Sequence, residues 1–171
     1  MDIVIREARP GEYEALGEIT ARAYVGDGLL DANPDGYYLG VLRDVAARAE
    51  DSEVLVAVRE DGTVLGGVAF APPGSRYCDI AGPDEAEFRM LAVAPEARGQ
   101  GVGEALVRAC IERARAIAGV RALVLSTQPA MRGAHRIYGR LGFVRTPGRD
   151  WSPVPSVPLL TYALELNGPD Q

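Results

Sequence analysis

The 171-residue sequence predicts an α/β (α+β) chain: a mixed, mostly antiparallel sheet of about seven strands flanked by about four helices. Three observations carry this. Glu53–Arg59 (EVLVAVR) and Thr63–Phe70 (TVLGGVAF) are strand-like runs joined by Glu60-Asp61-Gly62, a strong hairpin signal that makes this part antiparallel. Glu85–Ala118 passes from an apolar run through a glycine-rich loop into a long amphipathic helix, and a further strand-like run, Arg121–Thr127, follows. Two strands joined by a crossover helix run parallel, so the central strand and 121–127 should be parallel and splayed. Finally, strand and helix patterns fill nearly the whole chain, without a repeat, a low-complexity tract or a dividing linker. Residues 1–171 therefore read as one domain, with 167–171 frayed.

In order, residues 2–8 read as a strand through Ile3 and Ile5. Pro10 suits a first helical turn, with Glu12 and Glu14 at its positive end. Tyr13, Leu16, Ile19 and Ala23 give that helix an apolar stripe, and Gly26-Asp27-Gly28 stops it. A second helix is expected from about Tyr37 to Ala49. Gly66-Gly67 inside a strand points to a bulge or a close approach. Residues 71–84 form a Pro/Gly-rich loop. Phe88, Met90, Leu91, Ala92 and Val93 make the run of a strand buried on both faces, and Pro95 ends it. Val102, Leu106, Cys110, Ala114 and Ile117 then recur at helical spacing. Ala130–Leu141 reads as the last helix, with Ala134, Ile137, Tyr138 and Leu141 on one side. Strands from Gly142 and Leu159 flank a loop, 147–158, that holds four prolines and the only tryptophan, Trp151.

Composition narrows the function. No apolar run nears the roughly 18 residues of a membrane span. The N-terminus reads as a strand and lacks signal-peptide features, so a cytoplasmic location is expected. Cys78, Cys110 and a single histidine give no metal-ligand spacing, so no metal is expected, nor a disulfide in that compartment. All 18 basic residues are arginine. Without lysine there is no lysine Schiff base, hence no ordinary pyridoxal-phosphate or class I aldolase chemistry. The richness in Ala, Arg and Gly leans towards a bacterial source. A net charge of −6 argues against nucleic acid and favours cationic substrates such as amines.

The junction Arg98-Gly99-Gln100-Gly101-Val102-Gly103 points to an anion. A helix start leaves unpaired amides and partial positive charge. The three glycines keep side chains out of the way of a phosphate, and Arg98 adds a full charge. The spacing is neither Walker A nor a dinucleotide fingerprint.

It resembles instead the signature of the GCN5-related N-acetyltransferase (GNAT) superfamily, as Arg98-x-x-Gly101-x-Gly103. A second block of that family, Ala134-x-x-x-Tyr138-x-x-x-Gly142-Phe143, stands at the expected separation. The resemblance covers about Asp2 to Leu166 and implies a GNAT fold with acetyl-CoA between the splayed strands. It implies phosphate contacts from the loop (Arg98, Gly99, Gln100, Gly101, Val102, Gly103 and Glu104), backbone contacts from Leu91, Ala92 and Val93, and a contact from Ala134. The implied activity is transfer of acetyl from acetyl-CoA to a primary amine of a small molecule. A protein N-terminus or lysine acceptor, a longer acyl donor and a non-catalytic acyl-CoA sensor are the alternatives.

Acetyl transfer needs a neutral amine. An alkyl amine of pKa about 10.4 loses its proton at neutral pH at a cost on the order of 4–5 kcal/mol, so a base is useful. In the resembled family a glutamate placed like Glu87, in Glu87-Phe-Arg-Met-Leu-Ala92-Val93, takes that role. A solvated carboxylate is the alternative reading, with Glu85 as rival base. Tyr138 is implied as the acid for the departing thiolate. A phenol of pKa about 10 is a weaker acid than a thiol of about 8.5, so a hydrogen bond to the sulfur is an equal reading. Thr127 and Gln128 stand where many members carry Asn. Tyr24, Tyr37, Arg76 and Trp151 are candidate acceptor contacts, with half-buried packing as the alternative for each tyrosine and packing or a homodimer contact for Trp151. His135 falls off its helix's apolar stripe and is expected at the surface without a role.

Overall fold

The computed structural model describes residues 3–26, 37–153, 155 and 157–166, without the side chains of 25, 26 and 37–39. Strands β1 (Ile3–Glu7), β2 (Glu53–Arg59), β3 (Val64–Ala71), β4 (Glu85–Val93), β5 (Ala122–Thr127), β6 (Val144–Arg145) and β7 (Leu160–Glu165) form one sheet in the order β1-β2-β3-β4-β5-β7-β6. The β4–β5 pair is parallel and the others are antiparallel. The described helices are α1 (Tyr13–Gly26), α2 (Tyr37–Arg43), α3 (Val45–Asp51), α4 (Val102–Arg115) and α5 (Arg132–Arg140). Among the described residues no helix is long and apolar enough to cross a membrane.

The sheet is buried on both faces because its strands alternate between two apolar sets. Leu55, Val68, Phe70, Phe88 and Leu123 pack with Leu106 and Val107 of α4, whose predicted stripe residues Val102, Leu106, Cys110 and Ala114 are all buried. Val54, Val56 and Val58 point the other way, onto Leu16 of α1 and Val45 of α3. The expected helix over 37–49 is two helices. Asp44 breaks it, because its carboxylate accepts from the amide of Ala47 at 3.1 Å and caps α3 instead of continuing α2.

Gly66 and Gly67 are a close approach. A Cβ on Gly66 would stand 2.5 Å from the Ala92 carbonyl oxygen, and one on Gly67 2.5 Å from Leu16 Cδ1. Opposite them β4 bulges. Gly67 pairs with Ala92 but Ala69 pairs with Arg89, so β4 carries one extra residue, and Met90 has φ +59. This bulge positions the site.

Candidate functional site

β4 and β5 pair only at Glu85–Glu87 with Ala122–Val124. Past that point the β4 bulge turns the strand away, while β5 stays paired to β7 as far as Thr127. The parting strands open a cleft of about 670 Å³. Leu91, Ala92, Val93, Arg98, Gly99, Gly101, Val102, Gly103, Glu104 and Ala134 all line it. Gln100 does not. It is exposed, with its side chain 3.5 Å from the Glu96 carbonyl oxygen and from Arg59. The exposed, polar tip of the loop faces solvent rather than the cleft.

Gly101 holds φ +81 as the residue before α4, a left-handed conformation that a side chain would strain. No side chain caps α4. Its first amides therefore lack a side-chain partner at the cleft wall, where the positive end of the helix dipole also points. Gly103 has a packing reason as well: a Cβ there would lie 3.0 Å from Ile137 Cδ1, where α4 meets α5.

At the inner end a cavity of about 20 Å³ shares Leu91 and Met131 with the cleft and is also lined by Tyr24, Arg89, Ser126, Thr127 and Tyr138. That is room for about one water. Tyr138 is buried among Phe88, Phe143 and Tyr162, with ring centres 5.9, 5.8 and 5.5 Å away. Burial, then the neighbouring Tyr24, Cys110 and Tyr162, push its hydroxyl pKa above the ordinary phenol value. His135 is not a surface residue. It is half-buried, with Nε2 3.1 Å from the Gln128 carbonyl oxygen and 3.3 Å from Thr127 Oγ1, and its ring is 5.7 Å from Tyr162. A carbonyl only accepts, so Nε2 carries the proton. Burial lowers the pKa of the ring. Helical periodicity places His135 off the stripe correctly, but its partners lie at the end of β5, seven and eight residues earlier, and on β7, where helical spacing does not report them.

Glu87 is fully buried rather than solvated. Its Oε1 accepts from the amides of Asp79, Ile80 and Ala81 at 2.9, 2.9 and 3.0 Å, and its buried Oε2 has no partner among the described residues. Burial raises the carboxyl pKa above its ordinary value against the lowering pull of the Ile80 and Ala81 amides. Glu85 is different. Burial would raise its pKa, but hydrogen bonds from Arg149 (2.8 and 3.1 Å) and the Gly82 amide, with the charge of Arg121, outweigh burial and lower it. Glu85 is thus an anchor for 80–82 and 147–149 and a poor proton acceptor.

The acceptor candidates separate. Tyr24 lines the inner cavity. Trp151 donates from Nε1 to Ser126 Oγ at 2.9 Å, which brings the proline-rich loop to the same cavity. Its neighbour Asp150 holds that loop by two bonds to Arg145, at 2.7 and 2.9 Å, and by the Thr161 amide. Arg76 lines neither cavity: it pairs with Asp51 at the end of α3, and the loop turns it away from β4. The side chain of Tyr37 lies outside the described residues. Apolar periodicity does not single out Met131, Arg132, Arg136 and Arg140, which line the cleft. The spacing of the arginines, i, i+4 and i+8, is the signal that marks one helix face.

The chain is similar to known proteins in sequence and in fold. The family model described as the Acetyltransferase (GNAT) family matches residues 14–143. An uncharacterized N-acetyltransferase of Schizosaccharomyces pombe is 36% identical over 104 residues, 61% of this chain; the match spans 59% of that relative's length. A structure from Corynebacterium glutamicum, titled as histone acetyltransferase HPA2 and related acetyltransferase, superposes with TM-score 0.75 at 21% identity, covering all of both chains. The protein yncA of Salmonella typhimurium, solved with its cofactor acetyl-CoA, gives 0.66 at 22% identity over 98% of this chain and 96% of that one. A ribosomal-protein-alanine N-acetyltransferase from Brucella melitensis gives 0.71 at 25% identity over 95% of this chain and 99% of its own. With the family model matching most of its length, and the two family blocks facing each other across one cleft, the chain belongs to the GNAT acetyltransferase family.

Proposed function

We propose that this protein is an N-acetyltransferase that takes acetyl from acetyl-CoA and delivers it to a primary amine of a small molecule. The observation that carries the reading is the cleft itself: parted parallel strands at one end, an uncapped helix start at the other, and Tyr138 where the two walls meet. The residues fit the donor. Loop amides at 101–104 and Arg98 suit its diphosphate, and the edge of β4 at Leu91–Val93 suits an amide-bearing arm. Bound acetyl-CoA supplies a thioester whose acetyl carbon the amine attacks and whose thiolate leaves.

The chain's own groups do the rest. Glu87 Oε1 is committed to three backbone amides, so Oε2 is the oxygen left to take the amine proton; Glu87 is fully buried and lines neither cavity, so the proton reaches it through a water. A pKa raised by burial suits a base that works near neutrality. Tyr138 has the opposite bias. Its raised pKa makes it a neutral hydrogen-bond donor to the leaving sulfur, not a proton source, since an ordinary phenol is already the weaker acid by about 2 kcal/mol.

The narrow inner cavity beside Tyr24 and Trp151 and the net charge of −6 favour a small cationic amine as acceptor. Thiol release from acetyl-CoA, measured across small amines and peptide N-termini, tests this. Release with one class of small amine is the expected result, and release with peptides alone would reassign the acceptor. Binding of acetyl-CoA without release on either panel would favour the sensor reading.

A further inference from the structure

The α5 wall of the cleft carries charge that the loop chemistry does not use. Arg132, Arg136 and Arg140 lie on one face of α5, and all three line the cleft. Arg140 is committed to Glu104 at 3.1 Å, where Arg108 also reaches, so the carboxylate at the start of α4 is neutralised. Arg132 and Arg136 are exposed, and among the described residues neither guanidinium has a hydrogen bond or an ion pair. Their backbone positions are about 6 Å apart along the helix axis, a spacing over which two long guanidinium side chains can converge on one tetrahedral anion. In a chain of net charge −6, two unpartnered cations on a cleft rim are a local reversal of sign.

We propose that Arg132 and Arg136 hold the 3′-phosphate of the donor, making this protein selective for 3′-phosphorylated coenzyme A over its dephospho form. The inference rests on the acetyl-CoA reading above. Coenzyme A carries three phosphoryl groups. The amides of 101–104 and Arg98 suit the diphosphate, which leaves the third group, a phosphomonoester on the ribose, to cations elsewhere on the cleft wall. Arginine is the residue type for this task, because its planar fork meets a phosphate with two bonds at once.

Calorimetric titration of coenzyme A and 3′-dephospho-coenzyme A tests the assignment on the wild type, on R132A/R136A, and on R115A, which removes an exposed arginine away from the cleft. The wild type and R115A should prefer coenzyme A by roughly tenfold or more, the scale of one charge-assisted contact. The double variant should bind both ligands equally, with its affinity for the dephospho form less than about twofold changed and the preference lost. R132K/R136K should restore part of the preference, because charge returns without the fork. Equal binding of the two ligands by the wild type, or a preference that survives R132A/R136A, overturns the assignment while leaving the donor reading intact. Failure of the wild type to bind either ligand overturns both.

Discussion

At the scale of single residues, the two oxygens of Glu87 separate an anchoring duty from the proton-accepting duty proposed for it. Oε1 fastens residues 79–81 and Oε2 is left unpartnered. The duties separate by substitution. Glu87→Gln keeps an acceptor for the three amides but no base, so kcat should fall about 100-fold or more with the fold retained. A carboxyl must be ionised to accept a proton, so a raised pKa moves the acid limb of the wild-type kcat profile above the ordinary carboxylate range; Gln should remove that limb. The stability sign follows from the same shift. A raised folded pKa means stability is lost as pH rises above the unfolded value, so Glu87→Gln should gain relative to wild type with rising pH. Glu87→Ala strips the acceptor from all three amides and should cost about 1–3 kcal/mol in chemical denaturation. An unchanged kcat profile in the Gln variant would remove Glu87 as base. For Tyr138, Phe keeps the ring among Phe88 and Phe143 and loses one donor. A hydrogen bond to a developing anion is worth about 1.5–3 kcal/mol, so Tyr138→Phe should lower kcat roughly ten- to a hundredfold without moving the melting temperature. A complete loss of turnover would instead make Tyr138 an obligatory acid.

At the scale of elements, the cleft exists because β3 and β4 come unusually close just where β4 bulges. Gly66 is what allows it, since its missing Cβ would stand 2.5 Å from the Ala92 carbonyl oxygen. Gly66→Ala should therefore destabilise the protein by about 1–3 kcal/mol, the usual cost of overpacking, and raise KM for the donor by shifting the 91–93 edge. A melting temperature within a degree of wild type would mean that β3 can give way. The glycine pair is visible in the sequence as a strand irregularity, but what it approaches is not. The same division runs through the site. The loop at 98–104 and the second block are legible because they are local: a glycine spacing fixes a helix start. The break at Asp44 is local too, a carboxylate capping the amide three residues on, but it is a capping signal and not a periodic one. The anchoring of Glu87 by a loop six to eight residues earlier, the pairing of Arg76 with α3 and the placement of His135 depend on partners outside any helical or strand spacing. No periodicity reports those. The arginine row on α5 lies between these cases: its spacing is in the sequence, but only the facing wall of α4 makes it a cleft.

At the scale of the whole molecule, the cleft is held between two halves of the sheet that touch through few bonds. β4 and β5 share three residue pairs, Glu85–Ala122 to Glu87–Val124. Below them lie the ion pairs of Arg121 with Asp84 and Glu85 and of Arg149 with Glu85. The half built from β1 to β4 carries the glycine-rich loop at 98–103 after it, and the half built from β5 to β7 carries α5 against it. A ligand that spans the cleft would bridge the two halves and bind only the folded state. It should then raise stability by mass action, about 2.7 kcal/mol at a hundred times its dissociation constant. For a chain of this length that is a rise in melting temperature of about 5–11 °C. Thermal unfolding with saturating acetyl-CoA, with acetyl-pantetheine and with 3′,5′-ADP resolves where the bridging comes from. The full rise should need the intact donor, because only it reaches from the β4 edge to the loop and α5. If 3′,5′-ADP alone gave the full shift, the stabilisation would belong to the phosphate wall, and the parted strands would contribute nothing to holding the donor.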